Sequence, residues 1–202
     1  MNWRTCRSAI LFDSSLTTVD VNQTLNINEG DNSGLVFDGA ISETSSVTLS
    51  NNISDASHPL ILIQTPNVTL KNFNIIDGDS NEHEILIKCE ASSDSYNVTL
   101  ENINITSNAE SAIWIDGCDN VTLKDVTVNG VGTATAGLDE SGNGELPDGN
   151  LDGDNGPAVI HLSDIRIGAE SSTDDEFALE IDNVTITNTE GTAFKATSIG
   201  NT

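Results

Sequence analysis

The sequence predicts an all-β fold in which short strands wind in successive coils and pair in parallel. Three observations carry this expectation. One phrase recurs along the chain, apolar and polar residues alternate inside each copy, and the copies are made of strand formers. The phrase Asn67-Val68-Thr69-Leu70-Lys71-Asn72-Phe73-Asn74-Ile75 returns as Asn97-Val98-Thr99-Leu100-Glu101-Asn102-Ile103-Asn104-Ile105 and as Asn120-Val121-Thr122-Leu123-Lys124-Asp125-Val126-Thr127-Val128. Asn183-Val184-Thr185-Ile186-Thr187-Asn188 and Ser46-Val47-Thr48-Leu49-Ser50-Asn51 read as weaker copies in the same alignment.

Within a copy, Val68 and Leu70 point one way and Thr69 the other, which is strand periodicity. From Leu70 to Phe73 the apolar step is three residues instead of two, so two strands meet at a bend at Lys71-Asn72. The bend residue recurs as Asn72, Asn102, Asp125 and Asn188. Asn and Asp tolerate the left-handed backbone of a sharp corner. A third strand precedes most copies, at Leu60–Ile63, Glu84–Ile87, Ala112–Ile115 and Ala178–Ile181, and Val159–Leu162 opens another coil. Val, Ile, Thr and Asn are weak helix formers, so a helical reading is poor. Parallel coils stack about 4.8 Å apart and enclose a strip of aliphatic side chains.

These repeats resemble those of right-handed parallel β-helix proteins, the pectin-lyase-like superfamily, over roughly residues 34–200. The run Ala9–Leu16 followed by Thr24–Ile27 is similar to the entry region of large secreted bacterial β-helix repeat and adhesin-type proteins. The resemblance implies a right-handed, single-stranded parallel β-helix, a solenoid of about six coils with one acidic, Gly-rich loop insertion. The expected organisation is a single domain over 1–202: an entry region at 1–33, coils at 34–129, the acidic loop at 130–157 and further coils at 158–202. Thr192–Ala196 starts another coil, so the chain reads as a piece of a longer protein or as a subunit whose coil ends stack on other copies.

Composition narrows the partners. The 202 residues carry 32 acidic and 7 basic side chains, a net charge of −25. Such a chain is repelled by nucleic acid and by anionic membrane surfaces. No stretch approaches the roughly 18–20 apolar residues of a membrane span, and Met1–Arg7 lacks the apolar core of a signal peptide. Neither a nucleic-acid partner nor membrane insertion is expected. Cys6, Cys89 and Cys118 are odd in number, and Cys89 and Cys118 sit one residue out of register in successive coils. Buried free thiols are favoured over a bridge.

Calcium is the candidate cofactor. The insert Leu138–Gly156 holds six carboxylates among many glycines and no basic residue. Calcium takes several hard oxygens on a backbone that turns sharply, and Asp139, Asn143, Glu145, Asp148, Asp152 and Asp154 are the candidate ligands. Asp139, Ser141, Asn143, Gly144 and Glu145 partly match an EF-hand loop, but Asn150 stands where its closing Glu belongs. A solvated loop explains the same composition.

Several further motifs have structural readings. Asn-X-Thr/Ser sequons at Asn22, Asn52, Asn67, Asn97, Asn104, Asn120 and Asn183 mostly coincide with the repeat, where the fold already explains them. Trp114-Ile115-Asp116-Gly117 is similar to the Trp-Ile-Asp-His segment of pectate lyases, with Gly117 replacing the histidine, and Asp148–Asp152 falls at the wrong spacing for the segment that follows. Asn188-Thr189-Glu190 resembles the Asn-Thr-Asp motif of polygalacturonases without its downstream partners. His58, His83 and His161 show no metal spacing. Thr69, Thr99, Thr122 and Thr185 would form one outward column; ice-binding solenoids carry two, and Thr suits exposed strand positions in any sheet.

The expectation is therefore an extracellular or cell-surface segment with a structural or adhesive role toward a polysaccharide or cell-surface glycan. It rests on the scarcity of the Arg, Lys, His and Tyr that line β-helix enzymes. The alternatives are a polysaccharide lyase or glycoside hydrolase with part of its site outside this chain, and a filament subunit self-associating through its coil ends.

Overall fold

The computed structural model describes residues 8–13, 15–28, 34–54, 58–77, 83–89, 97–109, 111–118, 120–130, 158–163, 179–189 and 192–196. Among these there are sixteen strands and no helix. In chain order they are β1 (Ser8–Leu11), β2 (Thr18–Val21), β3 (Leu25–Ile27), β4 (Leu35–Asp38), β5 (Ala40–Ser42), β6 (Ser45–Asn51), β7 (Ile61–Ile63) and β8 (Val68–Asp77). There follow β9 (His83–Lys88), β10 (Val98–Thr106), β11 (Ser111–Asp116), β12 (Val121–Asn129), β13 (Ala158–Ser163), β14 (Leu179–Asp182), β15 (Thr185–Thr187) and β16 (Thr192–Ala196).

The strands form two sheets. One runs β1-β4-β8-β10-β12-β14, with β2, β6 and β15 pairing alongside, and the other runs β3-β7-β9-β11-β13-β16. Every pairing is parallel except the small β5–β6 hairpin. The chain visits the same three places in the same order in each row. The first half of β8 pairs with β4, its second half with β6, and the next strand, β9, with β7. Six such rows follow one another, beginning with β1, β2 and β3 and ending with β14, β15 and β16.

The corners explain why the chain turns where it does. Asn72, Asn102 and Asp125 have φ of 60°, 53° and 52°, and Asn67, Asn97 and Asn120 before the first strands have 60°, 47° and 54°. Asn and Asp are the non-glycine residues for which that region costs least. Their amides also link the rows. Asn102 Nδ2 donates to Asn72 Oδ1 at 2.7 Å, Asn72 Nδ2 to Asp38 Oδ1 at 2.7 Å, and Asn97 Nδ2 to Asn67 Oδ1 at 3.3 Å.

Two copies of the phrase occupy a different place from the one their alignment suggests. Leu179–Asp182 pairs with Val121–Lys124, and Thr185–Thr187 pairs with Thr127–Asn129. Asn183 therefore takes the bend, with φ 54° and Nδ2 donating to Asp125 Oδ1 at 2.7 Å. Val47–Asn51 likewise pairs with Phe73–Asp77, the second half of its neighbour. At Asn120, Asp125 and Asn183 alike a left-handed Asn or Asp is followed by apolar–polar–apolar residues, so the local pattern fits either place and only strand pairing decides.

Inward side chains stack in columns. Val47, Phe73, Ile103 and Val126 form one, and Ile61, Ile85, Ile113 and Ile160 another, all at most 1% exposed. Burying each such side chain contributes about 1.5–3 kcal/mol. Outside, Asp38, Lys71, Glu101, Lys124 and Asp182 stand in register with alternating sign. Lys71 Nζ lies 3.0 Å from Asp38 and Lys124 Nζ 2.8 Å from Glu101. Pairs this exposed contribute about 1 kcal/mol or less each, but the alternation fixes register against a one-row slip.

The preference for free thiols is overturned, because Cys89 and Cys118 form a disulfide with Cα atoms 5.0 Å apart. The register places Lys88 opposite Asp116, so Cys118 lies one residue beyond the position facing Cys89. Gly117, with φ 66°, folds the chain back and brings the sulfur across.

Candidate binding face

Beyond each bend, the second strand of a row presents two outward side chains. They are Thr18 and Asp20, Thr48 and Ser50, Asn74 and Ile76, Asn104 and Thr106, Thr127 and Asn129, and Thr185 and Thr187. Strand pairing puts Thr18, Thr48, Asn74, Asn104, Thr127 and Thr185 in one column. It puts Asp20, Ser50, Ile76, Thr106, Asn129 and Thr187 in a second. All are half-buried or exposed. Rows are about 4.8 Å apart and the two columns about 6.6–6.8 Å apart.

This face is nearly uncharged. Asp20 is its single charge, whereas the adjacent first strands carry the Asp38–Asp182 charge column. β-Branched threonines have few rotamers, and the amides are tied along the column. Asn104 Nδ2 donates to Asn74 Oδ1 at 3.1 Å, Thr187 Oγ1 to Asn129 Oδ1 at 3.2 Å, and Asn188 Nδ2 to the same oxygen at 2.6 Å. The side chains are thus held in place before any ligand arrives, which lowers the ordering cost of binding.

The sequence reading missed this array. It placed Thr185 below Thr122, but Glu180 occupies that position and Thr185 belongs to the column of Thr127. The available signal was the polar pair two residues apart after each bend, at Asn104 and Thr106 or Thr127 and Asn129.

Trp114 belongs to a ring stack on the other sheet. Its ring centre lies 4.4 Å from that of His83, edge to face, and 5.2 Å from that of His161, nearly parallel. Burial lowers the His161 pKa to about 4, Lys195 pushes it the same way and Asp116 opposes. His161 is therefore neutral at pH 7 and packs on the indole as an uncharged ring. Gly117, where pectate lyases carry histidine, serves the left-handed turn before Cys118. Asn188 is a left-handed corner with φ 52°, which accounts for the asparagine of the Asn188-Thr189 pair.

The candidate calcium ligands Asp139, Asn143, Glu145, Asp148, Asp152 and Asp154 lie outside the described residues, as do Glu190 and Cys6. Among the described residues, no group of three or more His, Cys, Asp or Glu could hold a metal ion, and no helix is long and apolar enough to cross a membrane. An open apolar cavity of about 650 Å³ lies at the first-row end, lined by Ile10, Phe12, Leu25, Leu35, Phe37 and Phe73 among others.

Fold and face together define an all-β protein of parallel sheets, stacked row on row, with one polar side that is nearly free of charge. No protein-family model, no curated protein and no solved structure matches the chain.

Proposed function

We propose that the chain is a segment of a right-handed parallel β-helix of the pectin-lyase-like type, working outside the cell or at its surface as a structural and adhesive module. Its ligand is an uncharged, hydroxyl-rich glycan, held on the second-strand face. The observation that carries this reading is the two-column array from Thr18 to Thr187, which has one charge in a chain of net charge −25. A polyanion would be repelled by the rest of the surface, whereas a neutral polymer meets mainly hydroxyls and amides. The recurrence of three strand places in each of six rows supports the helical winding. The Cys89–Cys118 disulfide supports an oxidising compartment.

Co-sedimentation with insoluble neutral and acidic polysaccharides tests the reading. Retention is expected on a neutral glycan, and the double variant Asn104→Glu/Thr127→Glu should weaken it tenfold or more, about 1.4 kcal/mol. Thr122→Glu, on the neighbouring charged face, should not. The idea fails if no neutral glycan retains the protein or if all three proteins bind alike. Inhibition of ice growth without glycan retention would also replace it.

A second reading has its own observation. β1, β2 and β3 at one end, and β14, β15 and β16 at the other, pair on one side only among the described residues. Ile10, Leu11, Ile181 and Phe194 are 45%, 71%, 47% and 41% exposed there. Parallel edges of this kind can add rows from another copy, and a head-to-tail contact does not close on itself. Sedimentation velocity in high salt should show concentration-dependent association that Leu11→Glu abolishes. A single species at every concentration rules this reading out.

A further inference from the structure

The corner where second strands give way to third strands is polar inside. Asn51, Asp77 and Ser107 come from three successive rows and are 4%, 4% and 2% exposed. Asn51 faces Asp77 across the β6–β8 pairing, and Ser107 directly follows β10, whose Thr106 faces Ile76. Glu84, on β9, is fully buried among them. Asn51 Nδ2 donates to one Glu84 oxygen at 3.3 Å, and Ser107 Oγ donates to the other. Asp77, in register with the Asn51 that donates to Glu84, brings a second buried carboxyl to this corner, near enough for its charge to bear on Glu84.

The same residues hold the backbone of the corner. Asn51 Oδ1 accepts the Ile53 N–H at 3.1 Å, and Ser107 Oγ accepts the Ala109 N–H at 2.9 Å. One carboxyl therefore connects turns in the row before and the row after its own. Of the groups that act on Glu84, Asp77 is charged and Asn51 and Ser107 are neutral; the adjacent His83 packs against Trp114.

We propose that Glu84 and Asp77 form a proton-sharing latch that ties three successive rows together in acidic and neutral solution and lets this corner open in mildly alkaline solution. With the shared proton present, the pair carries one charge and every named contact is satisfied. Without it, two carboxylates face each other in a buried corner, where like charges are poorly screened. Burial is the main cause that raises the Glu84 pKa, to about 8, with Asp77 adding to it while Ser107 and Asn51 oppose.

The sign follows from proton linkage. From the ordinary carboxyl range up to about 8 the folded chain keeps a proton that the unfolded chain has lost, so stability falls as pH rises through this window and levels off above it. The wild-type melting temperature should drop by roughly 5–10 °C between about pH 6 and pH 9. Glu84→Gln, which keeps the size and the hydrogen-bonding capacity without the charge, should remove that drop, whereas Asp77→Asn, which takes away the smaller cause and leaves burial in place, should shrink it. Ser107→Ala should lower stability at all pH values and retain the drop. Hydrogen exchange, corrected for its intrinsic pH dependence, should quicken at Ile53 and Ala109 above about pH 8 in wild type and not in Glu84→Gln. Parallel melting profiles for wild type and both charge-removing variants, or unchanged protection at Ile53 and Ala109, would overturn the proposal.

Discussion

Cys118→Ser should lower the melting temperature by roughly 7–14 °C, and reducing agent should lower that of the native chain by a similar amount while leaving the variant unchanged. The disulfide joins positions 29 residues apart. Closing a loop of that length in the unfolded chain removes entropy equivalent to about 3–4 kcal/mol, and in a chain of this size each kcal/mol moves the melting point by about 2–4 °C. Cys118 is 2% exposed, and the bridge ties the end of the β9 row to the end of the β11 row. Without it, the turn at Gly117 keeps its left-handed residue but loses the tether across the rows. Circular dichroism melts with and without reductant measure the effect. Equal melting points for all samples would mean that the bridge does not form in solution.

That bridge also shows what a sequence can and cannot reveal here. The inward columns were legible because burial imposes a period of two, interrupted by a three-residue step at each bend. Val98, Leu100, Ile103 and Ile105 are each 0% exposed, as their spacing requires. The left-handed corners were legible at Asn72, Asn102 and Asp125, because few residue types tolerate that backbone. The disulfide was not, since aligning rows by phrase leaves Cys89 and Cys118 out of register, and only the fold of the chain at Gly117 removes the offset.

The candidate face was hidden for a related reason. Two kinds of corner are followed by similar residues, so Asn183 could be aligned with Asn120 or with Asp125, and the sequence offered no means to choose. Pairing of Thr185 with Thr127 settles it and completes a column that the phrase alignment had split. Glu84 was similarly out of sight. It precedes Ile85 and Ile87 in a strand, where a charged residue ordinarily turns outward, yet it is fully buried because Asn51, Asp77 and Ser107 converge on it from three rows.

Gly39→Ala should destabilise the chain by about 3 kcal/mol or more, the upper end of overpacking costs, with a melting point lower by roughly 6–12 °C. Gly39 follows β4 at the bend position, opposite Asn72. Its N–H donates to the Lys71 carbonyl at 3.0 Å, and its carbonyl accepts the Val47 N–H at 2.7 Å. A Cβ there would stand 2.3 Å from the Asn72 carbonyl oxygen and 2.8 Å from two carbons of the Phe73 ring. Neither neighbour can yield cheaply. The carbonyl belongs to a left-handed corner at φ 60°, and Phe73 is 1% exposed with the Phe12 ring 5.4 Å away, edge to face. Relief requires the β4 row to move off the β8 row, which strains the Gly39 hydrogen bonds and the Lys71–Asp38 pair together. Asn102→Ala makes the useful comparison, because it removes an amide link and imposes a left-handed alanine without a clash, at a cost of about 1–2 kcal/mol. Chemical denaturation of both variants checks the order. If Gly39→Ala is as stable as the native chain, the register of Leu35–Asp38 on Val68–Lys71 is wrong, and with it the assignment of the first two rows.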